Sequence, residues 1–213
     1  MRLLPAILAM AALVVASNIL VQFLLWDGFL TWGAFTYPFA FLVTDITNRL
    51  YGPAAARRVV LAGFATGILC SLIGTQVMLE FGPAVVLRVA VASGAAFLAA
   101  QLLDVAVFNR MRAGRWWRAP LVSTLASSTL DTAVFFTIAF AGFVSLGPEA
   151  DAATAWARET VPFLGAGAPV PLWHSLAVAD WGVKLAIALL ALLPFRLIVG
   201  QMLQGRRDVT PSA

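Results

Sequence analysis

Residues 172–200 read LWHSLAVADWGVKLAIALLALLPFRLIVG, an apolar run interrupted by Asp180 and Lys184. About 20 apolar residues at 1.5 Å rise cross a hydrocarbon core of roughly 30 Å, so this run is long enough to span a bilayer. Five more such runs lie upstream, at residues 3–25, 31–50, 59–79, 84–107 and 119–144. Together they predict an all-α membrane protein, a six-transmembrane-helix bundle forming a single integral membrane domain over residues 1–213. The second run is the shortest and holds Pro38, Thr44, Asp45, Thr47 and Asn48. Proline removes a helix hydrogen bond and clashes with the preceding turn, so this span is expected to be kinked or locally unwound.

Composition agrees. The chain is 62% apolar and 11% charged, with a mean hydropathy of +0.92, whereas soluble domains carry about 25% charged residues. A soluble domain of this length leaves much of its surface wet and could not hide so much apolar area. A single cysteine, Cys70, excludes an intrachain disulfide. The apolar start after Met1-Arg2 resembles a secretory signal peptide, but it outruns the h-region of about 7–15 residues and lacks a small-residue cleavage site, so a retained first span is expected.

All but one of the 14 basic residues are arginines, and their clusters orient the bundle. Arg49, Arg57 and Arg58 follow the second run, Arg110, Arg112, Arg115 and Arg118 follow the fourth, Arg206 and Arg207 follow the last, and Arg2 precedes the first. The opposite side offers Arg88 and Arg158, the latter offset by Glu149, Asp151 and Glu159. The positive-inside rule places both termini in the cytoplasm. The tight Asp27-Gly28 connection lies on the other side; Trp26 and Trp32 there, and Trp116 and Trp117 on the basic side, sit where interfacial aromatics belong. A nucleic-acid partner would need a basic groove set in polar surface, and there is none. Residues 145–171, rich in Ala, Gly and Pro, read as an external loop, either a lid or a flexible linker.

An ionisable side chain at membrane depth costs about 2.5–3.5 kcal/mol on insertion scales, which makes each one a candidate functional group. Asp180 and Lys184 are four apart and share a helix face. They form either an internal ion pair or one side of a wet cavity in which Lys184 donates to a substrate carbonyl. Asp131 falls near the same depth on the fifth run. Ser127 and Ser128 precede it by one turn and Phe135 and Phe136 follow it by another, offering a polar lining and a flat apolar wall. Asp45 stands one turn before Arg49, and Asp104 stands close to Arg110 and Arg112. These four read as a cytoplasmic gate or ion-pair network, or else as surface pairs at headgroup level. Asn18, Gln22, Gln76 and Gln101 are amides at membrane depth, each an interhelical hydrogen bond or a cavity group.

Much chemistry is excluded. One histidine, His174, cannot make an H-E-x-x-H zinc site; the single lysine precedes Leu185 and makes no P-loop; no G-x-S-x-G elbow exists. The dispersed aspartates suit neither an intramembrane aspartyl site nor a metal-dependent transferase. No enzyme activity, no metal and no cofactor are expected.

The residues also carry a resemblance. Thr31-Trp-Gly-Ala-Phe, Thr44-Asp45 with Arg49, Tyr51-Gly52, Ala56-Arg57-Arg58, Gln101-x-x-Asp104 with Val107-Phe108-Asn109-Arg110, Arg115-Trp116-Trp117-x-Ala119-Pro120, Ser123-Thr124-Leu125, Asp131-Thr132 with Phe135-Phe136, and Asp180-x-x-x-Lys184 resemble, in order and spacing, the queuosine precursor transporter family, also called the vitamin uptake transporter group. The likeness runs from about Asn18 to Leu203. Arg49, where the wider family often has an acidic residue, draws the chain toward the proteobacterial subgroup. The resemblance implies a bacterial inner-membrane importer related in fold to the substrate-binding components of energy-coupling-factor transporters. It implies a small-molecule substrate, a 7-deazaguanine base in cyano or aminomethyl form, and a lipid bilayer as surroundings, with homo-oligomerisation left open. A guanine-type edge presents adjacent N–H donors and a carbonyl. Asp131 or Asp180 would accept those donors, Lys184 would meet the carbonyl, and Phe135, Phe136 or Trp181 would stack on the ring. The rival readings are a vitamin- or nucleobase-binding component that needs a separate energising complex, a non-transporting membrane scaffold, and an intramembrane enzyme.

Overall fold

The computed structural model describes residues 3–21, 23–25, 30–80 and 82–208. Arg2, Gln22, Trp26, Asp27 and Gly28, and the side chains of Arg206 and Arg207, lie outside the described residues. In chain order, α1 (Leu4–Leu20) leads to a short antiparallel pair, β1 (Leu24–Leu25) and β2 (Leu30–Thr31), then α2 (Trp32–Thr36), α3 (Phe39–Tyr51) and α4 (Pro53–Gln76). A second small pair, β3 (Met78–Leu79) and β4 (Gly82–Pro83), joins α4 to α5 (Leu87–Met111), and α6 (Arg118–Phe140) follows. Next come α7 (Pro148–Ala152), a single-turn 3₁₀ segment (Ala155–Arg158), β5 (Thr160–Pro162), a second 3₁₀ turn (Phe163–Gly165), β6 (Pro169–Pro171), which pairs antiparallel with β5, and α8 (Leu172–Asp208).

Four of these helices, α4, α5, α6 and the part of α8 up to Gln204, are long and apolar enough to cross a membrane. The six-span expectation meets a shorter element in α1, whose 17 residues extend about 25 Å. The second expected span is divided. Thr31 caps α2 by accepting the Ala34 amide at 3.3 Å, and the chain turns at Tyr37-Pro38 before α3 begins. Pro38 has no N–H to continue α2, so the break lies where the sequence places it.

The exterior is apolar and the interior is not. Leu69, Ile73, Leu190 and Leu193 are each more than 60% exposed, while Asp45, Gln101, Asp104, Ser123, Ser127, Asp131 and Lys184 are buried. That inversion suits a hydrocarbon surround, where polar groups must be satisfied by one another. Apolar packing fills the remaining contacts. Met10, Val14, Ala56, Val59, Val60 and Phe97 join α1, α4 and α5, and Leu50, Phe108, Ala119 and Phe195 join α3, α5, α6 and α8. Glycine allows the closest approach: a Cβ on Gly63 would lie 2.6 Å from Met10 Cγ, and one on Gly67 would touch Val14, so α1 runs alongside α4 in the same direction.

Two arginines fasten opposite ends. At the basic end, Arg49 donates to the Arg112 carbonyl at 2.6 Å and Arg112 donates to the Arg49 carbonyl at 2.7 Å, clasping the α3–α4 corner to the α5–α6 turn. At the other end Arg88, fully buried, donates to the carbonyls of Ile138 (2.8 Å) and Ala141 (2.5 Å) and to Asp151 Oδ1 (2.8 Å). Residues 145–171 are therefore an ordered cap rather than a loose linker. Ala157 from this cap is buried with Ala92, Phe136, Ala139 and Phe140.

Candidate functional site

One face of α6 organises the interior. Ser123, Thr124, Ser127, Ser128, Asp131 and Thr132 are all buried and make a polar seam along the helix. Such a row is intelligible only against polar partners on facing helices. α8 and α2 supply them near its middle, α3 and α5 toward its start.

The middle is a charge cluster. Lys184 Nζ donates to Asp131 Oδ2 at 2.6 Å, to Asp180 Oδ2 at 2.5 Å and to Thr132 Oγ1 at 3.1 Å. An ammonium has three N–H donors, and all three are used. Thr132 donates to Asp180 Oδ2 at 3.0 Å, and Tyr37 donates to Asp131 Oδ1 at 2.9 Å from the turn at the second-run break. The ammonium also lies 5.6 Å from the centre of the Tyr37 ring. Lys184 and Asp131 are each 3% exposed. Asp131, Asp180 and Lys184 thus meet at one depth. The wet cavity expected around them is replaced by closure, because side chains of α6 and α8 saturate the ammonium.

Toward the basic end lies a second cluster. Asp45 accepts from Ser123 and Thr124, both at 3.3 Å, and Asp104 accepts from Ser127 at 3.2 Å. The Asp45 and Asp104 carboxyls lie within hydrogen-bonding reach of each other. Thr44 donates to Gln101 Oε1 at 2.6 Å and Asn48 Nδ2 to the Val105 carbonyl at 3.1 Å. The expected Asp45–Arg49 and Asp104–Arg110/Arg112 pairs do not form. Arg49 and Arg112 spend their donors on backbone carbonyls, Arg110 is exposed, and both aspartates point into the bundle. Headgroup-level pairing is corrected with them.

Three further placements depart from expectation. Ser127 belongs with Asp104 rather than with Asp131, and Ser128 is buried with no partner for its hydroxyl. Phe135 and Phe136 pack edge to face at 5.1 Å and continue through Phe140 to Trp156 of the cap, so they form a seal rather than an open wall. Trp181 lies on the outer side, where its indole donates to exposed Thr129 at 3.1 Å.

A cavity with Tyr37 in its wall has a volume of about 60 Å³ and lies between α1, α4 and α5. Ser17, Asn18, Ser93, Phe64 and Phe97 share that wall. A cavity holds one water at about 10–15 Å³, so this one has room for a few waters. Tyr37, Phe64 and Phe97 line this cavity, and the sequence alone does not single them out. The adjacency of Tyr37 to Pro38, at the break, was the available signal.

A family profile described as "Putative vitamin uptake transporter" matches residues 31–199, a stretch that includes both clusters. The chain is 35% identical over 187 residues to the "Queuosine precursor transporter" of Escherichia coli (strain K12), covering 83% of this chain and 75% of that one. It is 40% identical over 122 residues to the "Probable queuosine precursor transporter" of Haemophilus influenzae, covering 52% of each. A third relative, from Bacillus subtilis (strain 168) and of the same description, is 28% identical over 181 residues, 76% of this chain and 68% of its own. No solved structure matches the chain.

Proposed function

We propose, from the premise that this chain belongs to the vitamin uptake transporter family, that it imports queuosine precursors, 7-deazaguanine bases in cyano or aminomethyl form, across the bacterial inner membrane with both termini in the cytoplasm. The observation that carries this reading is the Tyr37–Asp131–Lys184–Asp180 cluster, buried in the bundle beside a small polar and aromatic cavity. A guanine-type edge offers what that cluster already uses. Its adjacent N–H and NH₂ groups can replace Tyr37 and Lys184 on a carboxylate, and its carbonyl can accept from Lys184. Ring contact then falls to Tyr37, Phe64 and Phe97, which line the cavity, rather than to Phe135, Phe136 or Trp181. At about 60 Å³ the cavity is closed to a bicyclic base. Entry requires α1 or the Tyr37-Pro38 turn to move, and the base stabilises that open form only through contacts it lacks in the closed one.

The deciding experiment is uptake of each labelled base into cells that make no precursor of their own. Wild type is expected to accumulate label and restore queuosine in tRNA, and Asp131→Asn is expected to lose at least ten-fold in initial rate. No uptake above that of cells without the protein would reject the reading.

One observation favours a second reading. Lys184 has no donor to spare, so the cluster could serve only to hold α6 against α8. That reading predicts undiminished uptake when Asp131, Asp180 and Lys184 are all replaced by apolar residues.

A further inference from the structure

We propose that Asp45 and Asp104 share one proton and that its release on the basic side couples base movement to proton entry. This inference rests on the import reading above and names its energy source.

Both carboxyls are buried, Asp45 at 2% exposure and Asp104 at 0%, and they face each other within hydrogen-bonding reach. Two carboxylates in contact inside a bundle cannot both stay ionised unless a cation comes between them or they move apart. None is supplied. On α3 the nearest charge is Arg49, whose Nη1 is bound to the Arg112 carbonyl; on α5 Arg110 is exposed; on α6 Arg118 lies over the Trp117 ring. On α4, Arg57 and Arg58 are exposed. The facing stretch of α8 is Ala188, Ala191, Leu192 and Phe195, and Lys184 beyond it is saturated by the other cluster. α1 brings apolar side chains, Ala6, Ile7, Met10 and Val14, to the adjoining packing.

The polar atoms agree independently. Asp104 Oδ2 is fully buried and no donor among the described residues reaches it. A proton held between the two carboxyls is the donor that this oxygen lacks. Ser123, Thr124 and Ser127 then satisfy the remaining oxygens of a pair with net charge −1. Dissociation turns the bridged pair into two carboxylates and one proton. A crevice of about 10 Å³ lies beside Asp45 between Pro38, Phe41, Thr124 and Phe195, and in this proposal the proton leaves through it. Its volume is near the lower limit for one water, about 10–15 Å³.

The two clusters are mechanically joined. α3 with its preceding turn carries Asp45 and Tyr37 eight residues apart, and α6 carries Thr124 and Asp131 seven apart, separations of about 10–12 Å along each helix. Repulsion between ionised Asp45 and Asp104 pushes α3 from α5. Through the Pro38 break the push reaches Tyr37 and its bond to Asp131. Proton release thus loosens the contacts a base must replace.

Two measurements on the full-length protein test this. In nanodiscs without substrate at neutral pH, the infrared spectrum should contain the carbonyl stretch of a protonated carboxyl that shifts in heavy water. Asp45→Asn and Asp104→Asn should each remove it, whereas Asp180→Asn should leave it. In proteoliposomes an inward acid gradient should drive base accumulation above the outside concentration, and a protonophore should abolish it. Each Asn variant should reach only equal concentrations on the two sides while still exchanging labelled for unlabelled base. A band unaffected by either variant, accumulation driven by sodium instead, or gradient-driven accumulation retained by both variants overturns the proposal. If wild-type vesicles do not even exchange base, the import reading has failed, and the spectrum still decides whether the carboxyl pair holds a proton. Should an Asn variant not fold, heavy-water exchange in wild type supplies the spectral test on its own.

Discussion

Tyr37 donates its hydroxyl proton to Asp131 Oδ1 across 2.9 Å, linking the turn that splits the second apolar run to the middle of α6. Tyr37→Phe removes only that donor and keeps the ring. A hydrogen bond to a charged group contributes about 1.5–3 kcal/mol, so the variant should melt earlier in detergent. It should also lose uptake more steeply than it loses stability. Thermal denaturation and initial-rate uptake, measured on the same preparation, separate the two effects.

Lys184→Met leaves Asp131 and Asp180 buried without their cation. Removing one partner of a buried ion pair costs about 3–5 kcal/mol, enough to lower the yield of folded protein sharply. Replacing Asp131 and Asp180 by Leu in the same chain should recover most of that stability, because a packed apolar substitute avoids the desolvation penalty. The recovered protein should not transport. Size-exclusion profiles and uptake of the single and triple variants check this.

Arg88→Met should release the cap from the bundle. The change strands the Ile138 and Ala141 carbonyls and frees Asp151. Arg88→Lys should fail nearly as badly, since an ammonium cannot reproduce the fork geometry of a guanidinium. Limited proteolysis read by mass spectrometry should show cleavage within residues 145–171 in both variants well before wild type.

Asp151 gives the cap a pH dependence. The Ser145 hydroxyl and the Leu146 amide, with Arg88 and Arg158 nearby, hold its carboxyl below the usual carboxylate range. A carboxyl depressed on folding contributes stability that is fully present above its unfolded value, about 3.9, and is lost as pH falls through the folded value. Amide exchange over residues 145–171, corrected for its intrinsic pH dependence, should accelerate only below about pH 4. In Asp151→Asn that acid step should be missing.

Gly63 and Met10 give a packing test. A methyl on Gly63 meets Met10 Cγ at 2.6 Å and Phe97 Cζ at 3.0 Å, and overpacking of this kind costs about 1–3 kcal/mol. Gly63→Ala should lower the melting temperature, and Met10→Ala in the same chain should restore part of the loss. Additive losses in the double variant would refute the contact.

The helices were legible because a bilayer selects for length and apolarity, both readable in one dimension. The break at Pro38 was legible for a local reason, a missing N–H, and the Asp180–Lys184 pair because helical spacing alone brings i and i+4 together. What could not be read was partner choice across helices. Asp45 has Arg49 one turn away in sequence, yet Arg49 is drawn to a carbonyl at the end of α5 while Asp45 turns to hydroxyls on α6. Ser127 is one turn from Asp131 but is claimed by Asp104. The order of residues 145–171 depends on Arg88, more than fifty positions upstream, and composition cannot reveal such a tether.

α1 meets its neighbours largely across glycine, at Gly33, Gly63 and Gly67, with the Ser17–Thr36 hydroxyl contact as a polar tie. Met10 seats in the notch that Gly63 leaves, so moving this helix costs that seating and its dispersion rather than any charge pairing. Among the described residues, the flank of the chamber that holds Tyr37 is accordingly closed by packing and a single hydroxyl contact, and the ion pairs of the bundle all lie away from it.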